Sequence, residues 1–565
     1  MATPSQFLAM TVLVAMAACS PAPISREEVP AGTQEVSAPA DRDLQEVVVT
    51  GSRRRTAESV MDMPTSNVTA REIHMATAPY AVLPQDRENY GRIDANPVQR
   101  AAENPVSTFS VDVDTGAYSN VRRMLNEGRL PPQDAVRVEE LINYFDYGYA
   151  APRDSATPFG IVTEIASTPW NPKTRLLQVG IQGWERLGER RPSNLVFLVD
   201  VSGSMQAADK LPLVKSSLKL LARQLTGQDR ITLVVYAGST GVVLEPTPGS
   251  ETTTIQSALD RLEAGGSTNG GAGIALAYAM AEKAFMKDGN NRVLLATDGD
   301  FNVGTVSFEA LVDLVEEKRK GDVALTTLGF GTGNYNGHLM ERLADAGNGN
   351  HAYIDSLIEA QRVLVSQRDA TLHTIARDVK IQVEFNPARV SEYRLIGYEN
   401  RILHREDFNN DQIDAGEIGA GHSVTALYEI ALQGEGGERM DPLRYGSETG
   451  AVADSDELAF VRLRYKRPED GQKAASRLIE RAVRVGDLRK DASQSSAEFR
   501  LAAAAAAYGQ LLRGGAYTGG FGYPDAIALA ESAGGVDPES GNFLQLLKLA
   551  DGLSTRDAQA QLAPN

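Results

Sequence analysis

Apolar residues along this chain follow three rhythms, and each predicts a different layer of structure. Between 194 and 370, short apolar runs such as "NLVFLVDVS", "ITLVVYAG", "RVLLATDGD", "DVALTTLGFG" and "HAYIDS" alternate with stretches of helical spacing. In "KLPLVKSSLKLLARQL" the apolar positions Leu211, Val214, Leu218, Leu221 and Leu225 recur every three or four residues, as on one face of an amphipathic helix. Strands apolar on both faces, alternating with helices, predict an α/β unit: a doubly wound, mainly parallel sheet with right-handed crossovers.

After about 375 the rhythm changes to alternation in "VKIQVEFNP", "EYRLIGYE", "SVTALYEIAL" and "ELAFVRLRYK", which predicts an antiparallel sheet with one solvated face. The runs "FGIVTEIAS" and "TRLLQVGIQGW", within 151–192, suit the same sheet, so the α/β unit (193–370) is either flanked by a β-rich domain (375–555) or inserted in it. A helical tail follows, where "EFRLAAAAAAYGQLLRGG" combines an alanine run that favours helix with a double glycine that stops it. Residues 88–150 read as a strand, a helix, a Pro-marked turn and a second helix. Val136, Val138, Leu141, Ile142 and Phe145 share one face there, which predicts a small packing domain.

The beginning of the chain changes the picture of where it works. An apolar run, Phe7–Ala18, ends in the tetrad Met16-Ala17-Ala18-Cys19, which resembles a bacterial lipobox and makes residues 1–18 a signal peptide and Cys19 the lipidated residue. An ordinary secretory signal cut near Ala18 is the alternative. No Lys or Arg precedes Phe7, a departure that puts the true start codon in question. Ser20 resembles the outer-membrane sorting rule, so the expected place is the outer membrane, facing the periplasm. Residues 19–87, rich in Pro, Ala, Ser, Thr and charge, read as a flexible tether. Within it "LQEVVVTGSRRR", Leu44–Arg55, resembles the segment that opens the plug of TonB-dependent receptors. It reads either as a β-prone patch in a linker or as a strand-adding docking peptide.

Charge and cysteine usage exclude more than they assign. With 56 Lys and Arg against 74 Asp and Glu, the formal charge of −18 argues against a nucleic-acid partner, which draws on clustered cations. Cys19 is the only cysteine, which rules out an intrachain disulfide and a cysteine-built zinc site. The six histidines form no His-x-x-x-His pair, no P-loop or Gly-x-Ser-x-Gly elbow occurs, and "GFGTGN" (Gly329–Asn334) reads as a tight turn. "DFNNDQIDAGE" (Asp407–Glu417) opens like a calcium loop. It carries Gln412 where glycine is required and Glu417 one position early, so an Asx-rich turn is the better account.

One constellation remains. In a doubly wound sheet, ligands bind beyond the carboxyl ends of the strands where the order switches. Asp200 ends such a strand, and Ser202 and Ser204 follow at alternate positions, so their hydroxyls can converge on a cation held by Asp200. Thr268 sits in the glycine-rich "GGSTNGG" and Asp298 at the end of "LLATDGD". Two carboxylates and three hydroxyls completed by water make an oxygen shell suited to Mg²⁺.

The series Asp200-x-Ser202-x-Ser204, Thr268, Asp298 resembles the metal-ion-dependent adhesion site of the von Willebrand factor type A domain, over about a third of the chain. The flanking regions look like a bacterial lipoprotein family in which this domain sits between a short N-terminal and a C-terminal domain. The resemblance implies a Rossmann-like fold and non-enzymatic binding. Asp200, Ser202 and Ser204 would coordinate Mg²⁺ (or Mn²⁺ or Ca²⁺) directly, Thr268 and Asp298 directly or through water. A protein partner's Asp or Glu would fill the open position. A scaffold whose metal only rigidifies loops, and whose C-terminal domain makes the contacts, is the alternative.

Overall fold

The strand Ser193–Asp200 is buried along its whole length, so it must be covered on both sides. On one face Leu195, Phe197 and Val199 meet the helices Leu211–Ala222 and Thr252–Asp260. On the other, Val196 and Leu198 meet Gly270–Lys283 and Phe308–Arg319. Thus the 3.6-residue rhythm of the helices and the continuous apolar strands build two cores with one sheet between them. This arrangement comes from a computed structural model that describes residues 87–562, except 154–155, 186–190, 268, 301–306, 442–454, 472–473 and 490–491.

The α/β sheet has six strands in the spatial order His351–Ile354, Ala324–Phe330, Asn290–Thr297, Ser193–Asp200, Arg230–Tyr236, Thr240–Pro248. All pair parallel except the last, an antiparallel edge that the apolar runs alone do not announce. Ser193–Asp200 lies centrally, with the chain going to one side first and the other side afterwards. Its carboxyl end is therefore the switch point of the sheet.

The strands before and after this unit share a sandwich. Asn171–Gly183 pairs with Ser423–Leu432, Val179 opposite Ala426, in an antiparallel sheet with Phe159–Thr168, Val390–Ile396 and Gln99–Arg100. Against it lies a second sheet in which Thr374–Phe385 pairs with Glu457–Lys466 on one side and with Gly416–Gly419 and Val106–Ser110 on the other. Leu177, Val179 and Ile181 of the first sheet meet Ile381, Val383 and Phe385 of the second. The α/β unit is inserted between strands of this sandwich.

Two expectations change. The outer face of the first sheet is not solvated: Ala166, Leu176, Ile396 and Leu427 belong to a further core built with the helix Ala497–Leu512. The alternate positions of these strands are themselves apolar, so a helical layer covers them. Residues 88–150 do not form a packing domain of their own either. Val106–Ser110 is a strand of the second sheet, and the helices Gly116–Asn126 and Val138–Ile142 share the core of the C-terminal helices.

That shared core explains the alanine run. Ala502–Ala507 are all fully buried, so the small side chains let neighbouring helices approach from every side, beyond what helix propensity requires. Ser496 caps the helix through the Phe499 N–H at 3.0 Å, and Gly514 and Gly515, at φ +94° and +67°, end it. Among the described residues no helix is long and apolar enough to cross a membrane.

Candidate metal centre

Asp200 is the last residue of the central strand, and the backbone then turns through Gly203–Gln206. Its Oδ1 accepts the Ser202 N–H at 2.8 Å and its Oδ2 the Thr297 hydroxyl at 2.9 Å, from the end of the adjacent strand. The Ser202 and Ser204 hydroxyls lie 3.0 Å apart. The loop thus gathers three of the expected ligands at one strand end. Backbone bonds from Gly203 N–H to Gly266 O, 3.0 Å, and from Gly265 N–H to Val201 O, 2.8 Å, dock the glycine-rich loop against it. Thr268 belongs to that loop but lies outside the described residues, as do Cys19 and Leu44–Arg55.

Asp298 follows the strand Asn290–Thr297 and is fully buried. Its Oδ1 accepts the Asp300 N–H at 3.1 Å; its Oδ2 takes the Lys210 ammonium and the Asn334 amide, both at 3.0 Å. Lys210 also reaches Asn334 Oδ1 at 2.7 Å, its stem passing against Gly331 where a Cβ would collide with it. Burial pushes the Asp200 carboxyl up to about 6, and the negative Asp298 adds to this against the hydrogen bonds from Ser202 and Thr297. The floor of the site is therefore two enclosed carboxylates, Asp200 and Asp298. Its rim, at Gly203, Gly265, Gly266, Ser267, Asn269 and Asp300, is exposed.

Lys210, Thr297 and Asn334 are absent from the sequence-based list. Lys210 had a signal, since it follows the Asp200 loop directly as a lysine before a helix. Asn334 sat in "GFGTGN", which is indeed a tight turn, with Gly331 and Gly333 at φ +76° and +86°. Its position after a strand of the same sheet was the overlooked clue.

In the loop 407–417 two lysines hold backbone carbonyls, and Asn410 Oδ1 accepts the Gln412 N–H at 3.0 Å. Lys380 Nζ bonds the carbonyls of Asp407 and Asn410 at 3.1 and 2.6 Å, and Lys466 Nζ that of Asp411 at 2.6 Å. These contacts and the Asn410 side-chain bond suit an Asx-rich turn between strands.

Comparison with known proteins assigns a family to each part of the chain. The model described as "von Willebrand factor type A domain" matches residues 194–367, one described as "von Willebrand factor" matches 84–178, and "Uncharacterized protein YfbK, C-terminal" matches 370–553. Over 477 residues the chain is 47% identical to YfbK of Escherichia coli K12, covering 82% of this chain and 81% of that one. The chain belongs to the YfbK family. Human inter-alpha-trypsin inhibitor heavy chain H3 is 28% identical to this YfbK-family chain over 260 residues, 43% of this chain and 29% of its own length. Among solved structures, a von Willebrand factor type A protein from Catenulispora acidiphila covers 69% of this chain and 89% of its own, with 15% identity and a TM-score of 0.38. The YfbK-family chain thus carries a type A domain, an interaction module, between two regions shared with its relative.

Proposed function

We propose that Asp200, Ser202 and Ser204 hold Mg²⁺, with Mn²⁺ or Ca²⁺ as substitutes, and that a carboxylate of a protein partner completes the shell. The observation that carries this is the convergence of the three oxygen donors, over a buried acidic floor, beneath an exposed rim. The donor set is all oxygen and fits a hard cation. Both Asp298 oxygens already accept donors, which favours Asp298 acting through water. Thr268 is assigned to the same shell because its loop is docked there. Hydroxyl, amide and ammonium groups touch the two carboxylates, and together with the type A domain match they are the basis for reading the site as one for binding. The lipobox-like Cys19 supports a lipoprotein of the cell envelope, at the outer membrane and facing the periplasm.

Capture of envelope proteins by the full chain, in Mg²⁺ and in chelator, tests the proposal. Partners are expected to be held in Mg²⁺ and lost on chelation and in Asp200→Asn; equal capture by that variant would sink the reading. One observation favours a second reading, the scaffold. Lys210 and the Gly203–Gly266 bond already tie the three loops together without a metal. Capture that persists through chelation would select it.

A further inference from the structure

A cleft separates the α/β unit from the sandwich at the end of the α/β sheet opposite Asp200, where the strands Asn290–Thr297 and Ala324–Phe330 begin beside the start of Thr374–Phe385. Its cavity holds about 780 Å³, within the range of sites that enclose a small organic ligand. Six cations line it, Arg191, Lys287, Arg292, Arg319, Arg377 and Arg467, against three carboxylates, Asp288, Asp322 and Glu469. In a chain with a formal charge of −18, that balance is a local reversal of sign.

Arg292 is 2% exposed and its charge has no counter-charge bonded to it. It lies in the strand Asn290–Thr297, opposite Leu195 on one side and Ala324 on the other. Its Nη1 donates to Thr326 Oγ1 at 2.6 Å and its Nη2 to Thr374 Oγ1 at 3.4 Å, while its Nε has no partner. Both acceptors are neutral hydroxyls, and among the described residues no carboxylate bonds this guanidinium. Glu417 is the carboxyl group whose charge bears on it most. Burial of that carboxyl, and then the charges of Asp414 and Asp378, hold it well above the usual carboxylate range, so it is biased to keep a proton. Burial pushes Arg292 down to about 10, which still leaves a cation at neutral pH. A buried cation without its counter-charge is costly, and an anion in the adjoining cleft would relieve that cost. The charge of Arg377 also bears on Arg292. Arg377 spends one nitrogen on the exposed Asp322, at 2.9 Å, and Lys287 is exposed and makes no ion pair among the described residues. Trp184, Ile375 and Phe285, the last 42% exposed, give the cleft an apolar wall.

We infer that this cleft binds an organic phosphate, with its phosphoryl oxygens on Arg292 and Arg377 and its apolar body against Trp184 and Phe285. A planar guanidinium matches phosphate oxygens two at a time. A phosphate brings a charge of about −1.5 to −2 at pH 7, which suits a wall with more cations than carboxylates better than a single carboxylate does. The inference rests on nothing in the reading of Asp200.

The test titrates the full chain with para-nitrophenyl phosphate, whose ring quenches tryptophan emission, in chelator so that no metal at Asp200 holds the phosphate. Calorimetry is expected to find one site per chain, from which inorganic phosphate displaces the ester. The quenching should fall in Trp184→Phe, because Trp184 lines the cleft. Affinity should drop at least about tenfold in Arg292→Gln, the loss of a charge-assisted hydrogen bond. If Arg292→Gln does not fold, Arg377→Ala, which gives up only the bond to exposed Asp322, should show the same loss. No saturable binding, quenching unchanged in Trp184→Phe, or full affinity in a folded arginine variant overturns the inference. Binding of para-nitrobenzoate as tight as that of the phosphate overturns the assignment to a phosphoryl group.

Discussion

Lys210→Met separates the protein's own cation from a bound one. The ammonium stands 3.0 Å from Asp298 Oδ2, with the two side chains 7% and 0% exposed. At that separation and an effective dielectric of about 20, the attraction is roughly 5 kcal/mol before desolvation is counted. Removing one partner of such a buried pair costs about 3–5 kcal/mol, chiefly because the other charge is left uncompensated. The Asn334 amide and the Asp300 N–H still donate to Asp298, and methionine keeps an apolar stem against Gly331. We therefore expect the low end, about 3 kcal/mol, when metal is absent. For a unit of this size that is a fall of roughly 6–12 °C in thermal midpoint. A cation that takes over the compensation reverses the loss: at a hundred times its Kd it returns about 2.7 kcal/mol. Differential scanning calorimetry of parent and variant, in chelator and in millimolar Mg²⁺, reads this directly. The variant should be much weaker in chelator and nearly restored in Mg²⁺. An equal deficit in both conditions, or none in chelator, refutes the argument that Lys210 and a metal serve the same carboxylate.

Two further outcomes follow from burial. His351 has a folded-state value near 4 against 6.5 for the free side chain, so the stability it contributes is present above pH 6.5 and is lost as pH falls toward 4. The loss is roughly 3 kcal/mol over that window. Buried Glu139, raised to about 8, works with the opposite sign, so the reading is the difference in thermal midpoint between parent and His351→Asn, which should shrink steadily below pH 6.5; a constant difference refutes it. Ala505→Leu places three extra carbons inside a helix buried on all sides and should cost about 1–3 kcal/mol by overpacking, measured by denaturant unfolding. A neutral result would show that the alanine run serves propensity alone.

The α/β unit was legible because its signals are local. Leu195–Val199 is apolar at every position, and the face from Leu211 to Leu225 repeats at helical spacing, so neighbours in sequence sufficed to define strand and helix. Asp200, Ser202 and Ser204 were legible for the same reason: a carboxylate and two hydroxyls end a buried strand. The edge strand Thr240–Pro248 carried a weaker signal because it is only partly buried. Lys210 and Asn334 were missed because their meeting with Asp298 depends on three loops converging, and spacing along the chain does not encode that convergence.

The sequence by itself determined the order of strands and helices, the type A resemblance and the carboxylate and hydroxyl residues at the strand end. Periodicity and chain-end chemistry act over a few residues, and they survive without knowledge of the fold. The tertiary structure decided that Asn171–Gly183 and Ser423–Leu432 lie side by side, and that helices cover a sheet face expected to be wet. It also decided that Arg292, Arg319 and Arg377 line one cleft between the α/β unit and the sandwich. These contacts join positions far apart along the chain, and they form because each partner's apolar face has to be buried against another. The charges carried on those elements come together as a consequence.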